Sequence, residues 1–264
     1  HIFEQEGWHL EAQDSQSPFS YNGVVLNEMR GSLSNPDTMA YHKLNEALFP
    51  DTCYKYVSGG DINHIPDLSY EAFLDAHARH YKLDNSYTIL YGNLSIDAML
   101  NKINEHFMHA DERTQQAPNK LELQKSVTPK LTQFTMKTTP DNAVINLGYV
   151  IGTYQDRNRV LAASIISDVL CSTNESPLKK AVLDAGLGSD VSCAVVDGCL
   201  QPQLIFQLKG ARPQSAHKFR ELIETKCAQY AQTGLDKARI QAALSQTEFI
   251  LREGDWDNYS DGVA

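Results

Sequence analysis

Hydrophobic and polar positions along this chain repeat with two periods, one typical of helices and one typical of strands. Apolar residues spaced three or four apart mark one face of a helix, whereas short runs rich in β-branched and aromatic residues indicate strands. The helical spacing predicts helices over residues 21–33, 36–49, 69–81, 96–107, 160–170, 177–186, 213–230 and 240–251. The other pattern predicts an edge strand within 2–12, a β-prone run at 87–91, and strands at 133–137, 144–151, 191–196 and 204–208.

The order of these elements indicates the fold class. After residue 129 the predicted order is strand, strand, helix, helix, strand, strand, helix, helix. Blocks of this kind are typical of an α+β fold, with helices on one face of a mostly antiparallel sheet. The polar stretch 109–127 has no periodicity, so we predict two domains, 1–110 and 129–264, joined by a linker at 111–128.

Composition and charge narrow the functional class. The chain has 264 residues, 42% of them hydrophobic, and a formal net charge of -10. A negative surface repels phosphate, so we expect no nucleic-acid partner. We expect no membrane partner either, because no apolar run approaches the roughly 18 to 20 residues that span a bilayer.

Cysteine usage indicates the redox environment. Five cysteines occur, an odd number, and no two of them have C-x-x-C spacing. A disulfide framework is unexpected in a chain of this size, and cysteine-bound zinc normally shows closer spacing. We therefore expect reduced, mostly buried thiols in a reducing compartment.

Motifs for enzymatic chemistry are sparse. The chain contains no G-x-S-x-G and no phosphate-binding or dinucleotide-binding glycine loop. His77 and His80 lie three apart without the H-E-x-x-H arrangement of zinc peptidases, and the KINEH segment that ends at His106 has lysine where the inverted motif H-x-x-E-H needs histidine. These histidines are expected to be ordinary helix residues.

Two other features stand out. In Ser58-Gly59-Gly60-Asp61, adjacent glycines predict positive φ or close approach by another stretch of chain. Glu28 lies within a predicted helix, and by pattern alone it is a solvated carboxylate.

Several long segments resemble the presequence-protease and falcilysin subgroup of the pitrilysin/insulinase peptidases. They are EQEGWH at 4–9, GVVLNEMRGSLSNPD at 23–37, ALFPDTCYKYVSGGD at 47–61, IPDLSYEAFLDAHARHY at 65–81 and, with less specificity, YTILYGN at 87–93 and LDKARIQAALSQTEFILRE at 235–253. The resemblance is colinear and covers essentially the whole chain. It implies two α+β domains of the processing-peptidase type, namely the C-terminal part of a catalytic domain followed by a non-catalytic repeat.

The resemblance also implies a zinc site. In this family an H-x-x-E-H helix supplies two histidine ligands and the general-base glutamate, and a downstream glutamate completes the site. That glutamate corresponds to Glu28 here, whereas H-x-x-E-H is absent from the sequence and is expected upstream. A second half that closes over the substrate is expected downstream. Asn27 and the Ser58–Asp61 loop are candidates for orienting or substrate-side roles, and a plain turn role for the glycines is an equal alternative.

These implications lead to a functional expectation. We expect part of a zinc endopeptidase in which zinc-bound water attacks the scissile carbonyl of unstructured peptides. The segment alone is expected to be inactive and to retain no zinc, because one carboxylate cannot replace three ligands. A non-enzymatic scaffold or a peptide-binding relative of the same fold is the alternative. We expect a location in the bacterial cytoplasm, with an organelle matrix as the second option.

Overall fold

The computed structural model describes residues 2–82, 85–107, 121–137 and 142–253. The chain divides into two compact units, here called the first unit (1–27, 61–120 and 254–264) and the second unit (28–60 and 121–253). Residues 28–60 therefore belong to the same unit as residues 121–253. This division differs from a single boundary near residue 110. The assignment of 1–110 and 129–264 to two family domains stays a prediction. Of the predicted linker, 111–120 lies outside the described residues and 121–128 belongs to the second unit.

The first unit contains a short π-helix (Phe3–Gly7), a short hairpin and two complete α-helices. Strands β1 (His9–Glu11) and β2 (Ser20–Asn22) pair antiparallel, with His9 opposite Asn22. The Trp8 indole donates to the Leu68 carbonyl at 3.3 Å, which connects the start of the hairpin to the short 3-10 turn before the helices. The helices of this unit are α3 (Tyr70–His80) and α4 (Ile96–His106).

Helix α1 (Val24–Leu33) follows β2 directly, and the division between the units falls inside it. Leu26 and Met29 are buried on one side of α1, in agreement with the helical spacing. A short turn then leads to α2 (Pro36–Leu48). The Asn35 side chain caps α2 by accepting from the backbone nitrogen of Asp37 at 2.8 Å, and proline occupies the first helical position.

The second unit is built on a three-stranded antiparallel sheet. The strands are β3 (Ala143–Val150), β4 (Asp190–Val196) and β5 (Gln203–Ala211), and β5 lies in the centre. Helices α5 (Arg157–Cys171), α6 (Pro177–Asp184), α7 (Ala216–Thr233) and α8 (Lys237–Glu253) complete the unit. Gly234 has φ +77 directly after α7, the positive value that favours glycine at a helix end.

One hydrophobic core holds the sheet together with helices α5, α6 and α7. Its fully buried members include Leu178 of α6, Leu208 of β5 and Phe219 of α7. Leu147 of β3 packs against this core, so its neighbour Gly148 faces the opposite side of the sheet. There a β-carbon on Gly148 would lie within about 3 Å of leucine side chains of α2, so α2 packs directly against the strand.

The predicted α+β class with a mostly antiparallel sheet is confirmed. Two predicted β segments are wrong, because 87–91 and 133–137 form no strand in the structure. Tyr87 is fully exposed, which fits the lack of a neighbouring strand for its segment. Among the helices described, none is both long enough and apolar enough to cross a membrane.

Candidate functional site

Glu28 lies on the solvent-exposed side of α1, away from the buried Leu26 and Met29. Its neighbours in sequence are held by helical hydrogen bonds, which fix the direction of the side chain more narrowly than a loop would. Within the described ranges, the Glu28 carboxylate has no hydrogen bond and no ion pair. Glu28 therefore presents a negatively charged carboxylate at a defined place on the helix, and its oxygen atoms are available to a ligand.

The start of α1 is fixed by Gly23 and two asparagines. The backbone nitrogen of Asn27 donates to the Gly23 carbonyl at 2.9 Å, which makes the first turn of the helix. The Asn22 carbonyl oxygen Oδ1 accepts from the Gly23 backbone nitrogen at 2.8 Å and from Asn27 Nδ2 at 2.5 Å. Asn27 thus ties α1 to the end of the hairpin, a role in positioning the helix that carries Glu28.

Gly23 also allows a close approach of two backbone segments. Its φ is +151, and a β-carbon there would lie 2.3 Å from the Gly7 carbonyl oxygen and 2.7 Å from the Trp8 α-carbon. No other residue fits this position without moving backbone atoms. The EQEGWH segment and the GVVLNEM segment are therefore in direct contact, which sequence reasoning did not anticipate.

The Ser58–Asp61 loop has one close contact with α1. A β-carbon on Gly59 would lie 2.1 Å from Met29 Sδ, so Gly59 packs directly on the residue that follows Glu28. Gly60 has φ +98, and its backbone nitrogen donates to the Val57 carbonyl at 3.0 Å. The sequence-based expectation of close approach or positive φ is confirmed, and each of the two glycines meets one of these conditions.

Asp61 forms its hydrogen bonds with residues that are close to it in sequence. Asp61 Oδ1 accepts from the backbone nitrogen of Asn63 at 2.8 Å and from Asn63 Nδ2 at 3.0 Å, which makes an Asx turn. The Asp61 carbonyl also accepts from the backbone of His64 and Ile65. Ser58 is exposed. These contacts give Asp61 a turn-forming role, and they support the turn alternative for this loop.

Helix α2, which follows α1, is anchored to the sheet of the second unit by polar contacts. Gln203 Nε2 of β5 donates to Asn45 Oδ1 at 3.0 Å, and both residues are buried. Lys209 Nζ of β5 lies 2.6 Å from Asp37 Oδ2 at the start of α2. These residues lie far apart in sequence and match no motif, so sequence reasoning missed them.

The histidines do not form a metal site within the part of the chain that the structure describes. There, no group of three or more His, Cys, Asp or Glu side chains could hold a metal ion. His77 stacks on Tyr81 with ring centroids 4.4 Å apart, while His80 and His106 are exposed. Burial lowers the pKa of His42 on α2 and favours its neutral form.

The fold places this chain among α+β proteins in which helices pack on the faces of an antiparallel sheet. Residues 67–247 match the family model described as the peptidase M16 inactive domain. The chain belongs to the peptidase M16 family. The resemblance to the pitrilysin/insulinase peptidases is thereby confirmed, while Glu28 and the Ser58–Gly60 segment precede the matched residues.

Individual relatives agree with this assignment. The chain is 35% identical over 268 residues to Protein HypA of Clostridium perfringens, covering 99% of this chain and 27% of the relative. It is 29% identical over 272 residues to the chloroplastic/mitochondrial presequence protease 1 of Arabidopsis thaliana, covering 100% of this chain and 25% of the relative. The chain therefore spans about a quarter of the length of these curated relatives.

A solved structure supports the fold. A protease from Helicobacter pylori superposes with a TM-score of 0.66 at 17% sequence identity, covering 86% of this chain and 56% of that chain. At this identity the likeness concerns the fold alone.

Proposed function

We propose that this chain is part of a zinc-dependent endopeptidase that degrades unstructured peptides, and that Glu28 is one of its zinc ligands. Membership of the peptidase M16 family is the observation on which this proposal depends. Relatives named presequence proteases suggest cleaved targeting peptides as one class of substrate. Such peptides are unfolded in solution, so an enzyme can select them by size and flexibility.

The donor chemistry of Glu28 suits this role. Zinc in catalytic sites takes three protein ligands, commonly two histidines and a carboxylate, and leaves one position for water. The Glu28 carboxylate is exposed on α1 and is not engaged by another described side chain. The described residues do not supply the other ligands, so we place the two histidines and the general-base glutamate in an H-x-x-E-H segment elsewhere in the polypeptide.

The residues of this chain would act by positioning. Asn27, through Asn22, fixes the first turn of α1, and Gly59 packs on Met29 immediately after Glu28. Both contacts restrict where the carboxylate can lie. When bound, zinc would polarise the scissile carbonyl and make hydroxide available at neutral pH.

We propose further that this chain alone hydrolyses nothing and retains no zinc. Its partners would be the peptide substrate and the remainder of the same polypeptide, which would supply H-x-x-E-H and a second half. The bacterial cytoplasm is the proposed location, with an organelle matrix as the alternative. Relatives from Clostridium perfringens and from chloroplasts or mitochondria are compatible with both locations.

The test is Glu28→Gln in the intact protein that contains this chain. Zinc content after purification and cleavage of a fluorescent unstructured peptide are measured on the same samples. Loss of a metal-binding oxygen should lower zinc affinity and cleavage by at least about tenfold, since even residues that only support zinc ligands cost 10–100-fold. The amide is nearly the same size as the carboxylate, so the fold should be unchanged.

Glu105→Gln is the matched control. Glu105 is also an exposed helical glutamate, and it lies in the KINEH segment that comes nearest to the inverted zinc motif. We expect this variant to keep its zinc and its activity. Equal zinc and equal cleavage in Glu28→Gln and the unsubstituted protein would remove Glu28 from the site, and an intact protein without zinc or activity would favour the scaffold alternative.

A further inference from the structure

The loop at 49–60 follows α2 and ends against α1, the helix that carries Glu28. Its last part packs on α1, because a β-carbon on Gly59 would lie 2.1 Å from Met29 Sδ. Met29 is only 9% exposed and directly follows Glu28, so this contact limits how α1 can tilt or turn at this point. A shift of the loop would therefore shift the base of the Glu28 side chain.

Hydrogen bonds between near neighbours stiffen the loop 49–60. A backbone nitrogen donates to the carbonyl three residues earlier, at 3.0 to 3.4 Å, at Thr52, Lys55, Tyr56 and Gly60. Lys55 Nζ also donates to the Pro50 carbonyl at 2.9 Å, which connects the 3-10 turn in the loop to its start. Internal bonds of this kind raise the local stability of a segment, so a restraint at the start of the loop is transmitted to its end.

The start of the loop 49–60 is held by the side chain of Gln124, which is buried at 7% exposure. Gln124 Oε1 accepts from the backbone nitrogen of Asp51 at 2.9 Å. Gln124 Nε2 donates to Asp51 Oδ2 at 2.8 Å and to the Lys125 carbonyl at 3.1 Å. The carboxamide thus has a partner for its oxygen and for both of its amide hydrogens. Because unpaired buried polar groups are costly, these bonds fix Asp51 against Gln124.

The backbone of Gln124 is fixed in turn by Gln201, which lies between β4 and β5 and is also buried. Gln201 Oε1 accepts from the backbone nitrogen of Gln124 at 2.6 Å, and Gln201 Nε2 donates to the Gln124 carbonyl at 3.1 Å. The same connection between the strands contacts the loop 49–60 a second time, since the Leu200 backbone nitrogen donates to the Tyr54 hydroxyl at 3.0 Å. These contacts anchor the loop to the sheet of the second unit.

We propose that Gln124 is a positioning residue for the Glu28 carboxylate, acting through Asp51 and the loop that packs on Met29. The inference rests on the proposed role of Glu28 as a zinc ligand and names a residue that supports it. Loss of the Gln124 carboxamide would release Asp51 and loosen the contact of Gly59 with Met29, so Glu28 would meet the metal in a poorer geometry. Residues that orient a zinc ligand affect metal affinity in this way.

The experiment replaces Gln124 with leucine in the intact protein that contains this chain. Leucine is similar in size and lacks the two hydrogen-bonding atoms. Zinc affinity is measured by competition with a chromophoric chelator, and amide hydrogen exchange at residues 57–60 is measured on the metal-free protein. We expect zinc affinity to fall by about threefold to tenfold, at or below the 10–100-fold range of residues that contact a ligand directly. Exchange at 57–60 should become faster.

Further variants separate positioning from a plain loss of stability. Asp51→Asn keeps an oxygen acceptor for Gln124 Nε2 and should retain normal zinc affinity, whereas Asp51→Ala should lose affinity as Gln124→Leu does. Asp51 is exposed, so Asp51→Ala carries the test if Gln124→Leu does not fold. Ile223→Val trims the buried core at α7, and it should lower the thermal midpoint without changing zinc affinity or exchange at 57–60.

Unchanged zinc affinity and unchanged exchange at 57–60 in Gln124→Leu and Asp51→Ala would overturn the inference. An equal loss of zinc affinity in Ile223→Val would overturn it as well, because the effect would then follow stability alone. Failure of the proposed function gives a different result, since Glu28→Gln would then keep its zinc. Faster exchange at 57–60 in Gln124→Leu would in that case still support the anchoring of the loop by Gln124.

Discussion

The two units differ in how they bury their apolar residues. In the second unit, leucine, valine and phenylalanine side chains from the sheet and three helices form one continuous core. In the first unit, Gly23 and Leu26 are the buried residues among those described. Its large apolar side chains are instead mostly at the surface, including Tyr70, Phe73, Leu74, Tyr87, Ile89, Leu100 and Phe107.

This difference shows that the same helical pattern can have two outcomes. Helices α4 and α7 both have apolar residues at helical spacing, yet no residue of α4 is buried, with Ile96 and Leu100 exposed, whereas apolar residues of α7 enter a core. Since burial of apolar surface is the main favourable contribution to folding, we expect the second unit to be the stable part of this chain.

The largest expected effect concerns a core residue of the second unit. Phe219 on α7 is fully buried at 0% exposure, and Phe219→Ala should lower the free energy of unfolding by about 3–5 kcal/mol. The comparison is Phe107→Ala in the first unit, where the ring is 62% exposed, with an expected change within about 0.5 kcal/mol. Urea unfolding followed by circular dichroism measures both, and equal losses would contradict the contrast between the units.

The next prediction concerns the hairpin of the first unit. Gly23→Ala places a β-carbon against the Gly7 carbonyl at φ +151, so we expect a loss of roughly 1–3 kcal/mol and faster hydrogen exchange in the first turn of α1. Gly31→Ala is the matched control on the same helix, since nothing lies within 4 Å of its new β-carbon. That variant should gain about 0.5–1 kcal/mol, and a loss at Gly31 as large as at Gly23 would refute the close-approach explanation.

A pH-dependent contribution is expected in the second unit. Burial, and then the Glu224 carboxylate 3.2 Å from the hydroxyl, raise the pKa of Tyr149 to about 12 from 10.0. Below pH 10.0 the phenol is neutral in folded and unfolded chains, and its contribution is fully present. Between 10.0 and about 12 the unfolded chain ionises first, so stability falls as the pH rises.

Two variants isolate this contribution. Tyr149→Phe should show a smaller loss of stability across the same pH range, while Tyr154→Phe, at an exposed position, should behave like the unsubstituted protein. Thermal unfolding at several pH values, together with phenolate absorbance, gives the comparison. Parallel curves for Tyr149→Phe and the unsubstituted protein would rule out this tyrosine as the cause.

The smallest expected effect belongs to an ion pair of the second unit. Lys209 Nζ lies 2.6 Å from Asp37 Oδ2, but the two side chains are 43% and 40% exposed. A double-mutant cycle of Lys209→Ala and Asp37→Ala should give a coupling of about 0.2–1 kcal/mol that decreases in high salt. A coupling well above this range, unchanged by salt, would mean that the anchoring of α2 depends on this pair.

Local patterns in the sequence were sufficient to predict several elements of the structure. Helical spacing predicted α1 to α8, and the Gly59-Gly60 pair predicted an unusual backbone. These features depend on residues within a few positions of each other, so a single sequence contains the information they require.

Features that depend on distant partners were decided by the tertiary structure. The segments 87–91 and 133–137 have the composition of strands, but a strand forms only when another strand supplies its hydrogen bonds. The contact of Gly23 with Gly7 likewise follows from packing between separate elements.

The candidate site also combines features that the sequence predicts with features that depend on the tertiary structure. By itself, the sequence determined that Glu28 lies on a helix and within a segment typical of a peptidase family, because both are local patterns. Its exposure agrees with the pattern of the sequence as well. The tertiary structure decided that Gly59 packs on the residue beside it and that α2 is anchored to the sheet by Gln203 and Lys209. The physical reason is that close packing and anchoring depend on which distant surfaces meet a residue, and helical spacing contains no information about those surfaces.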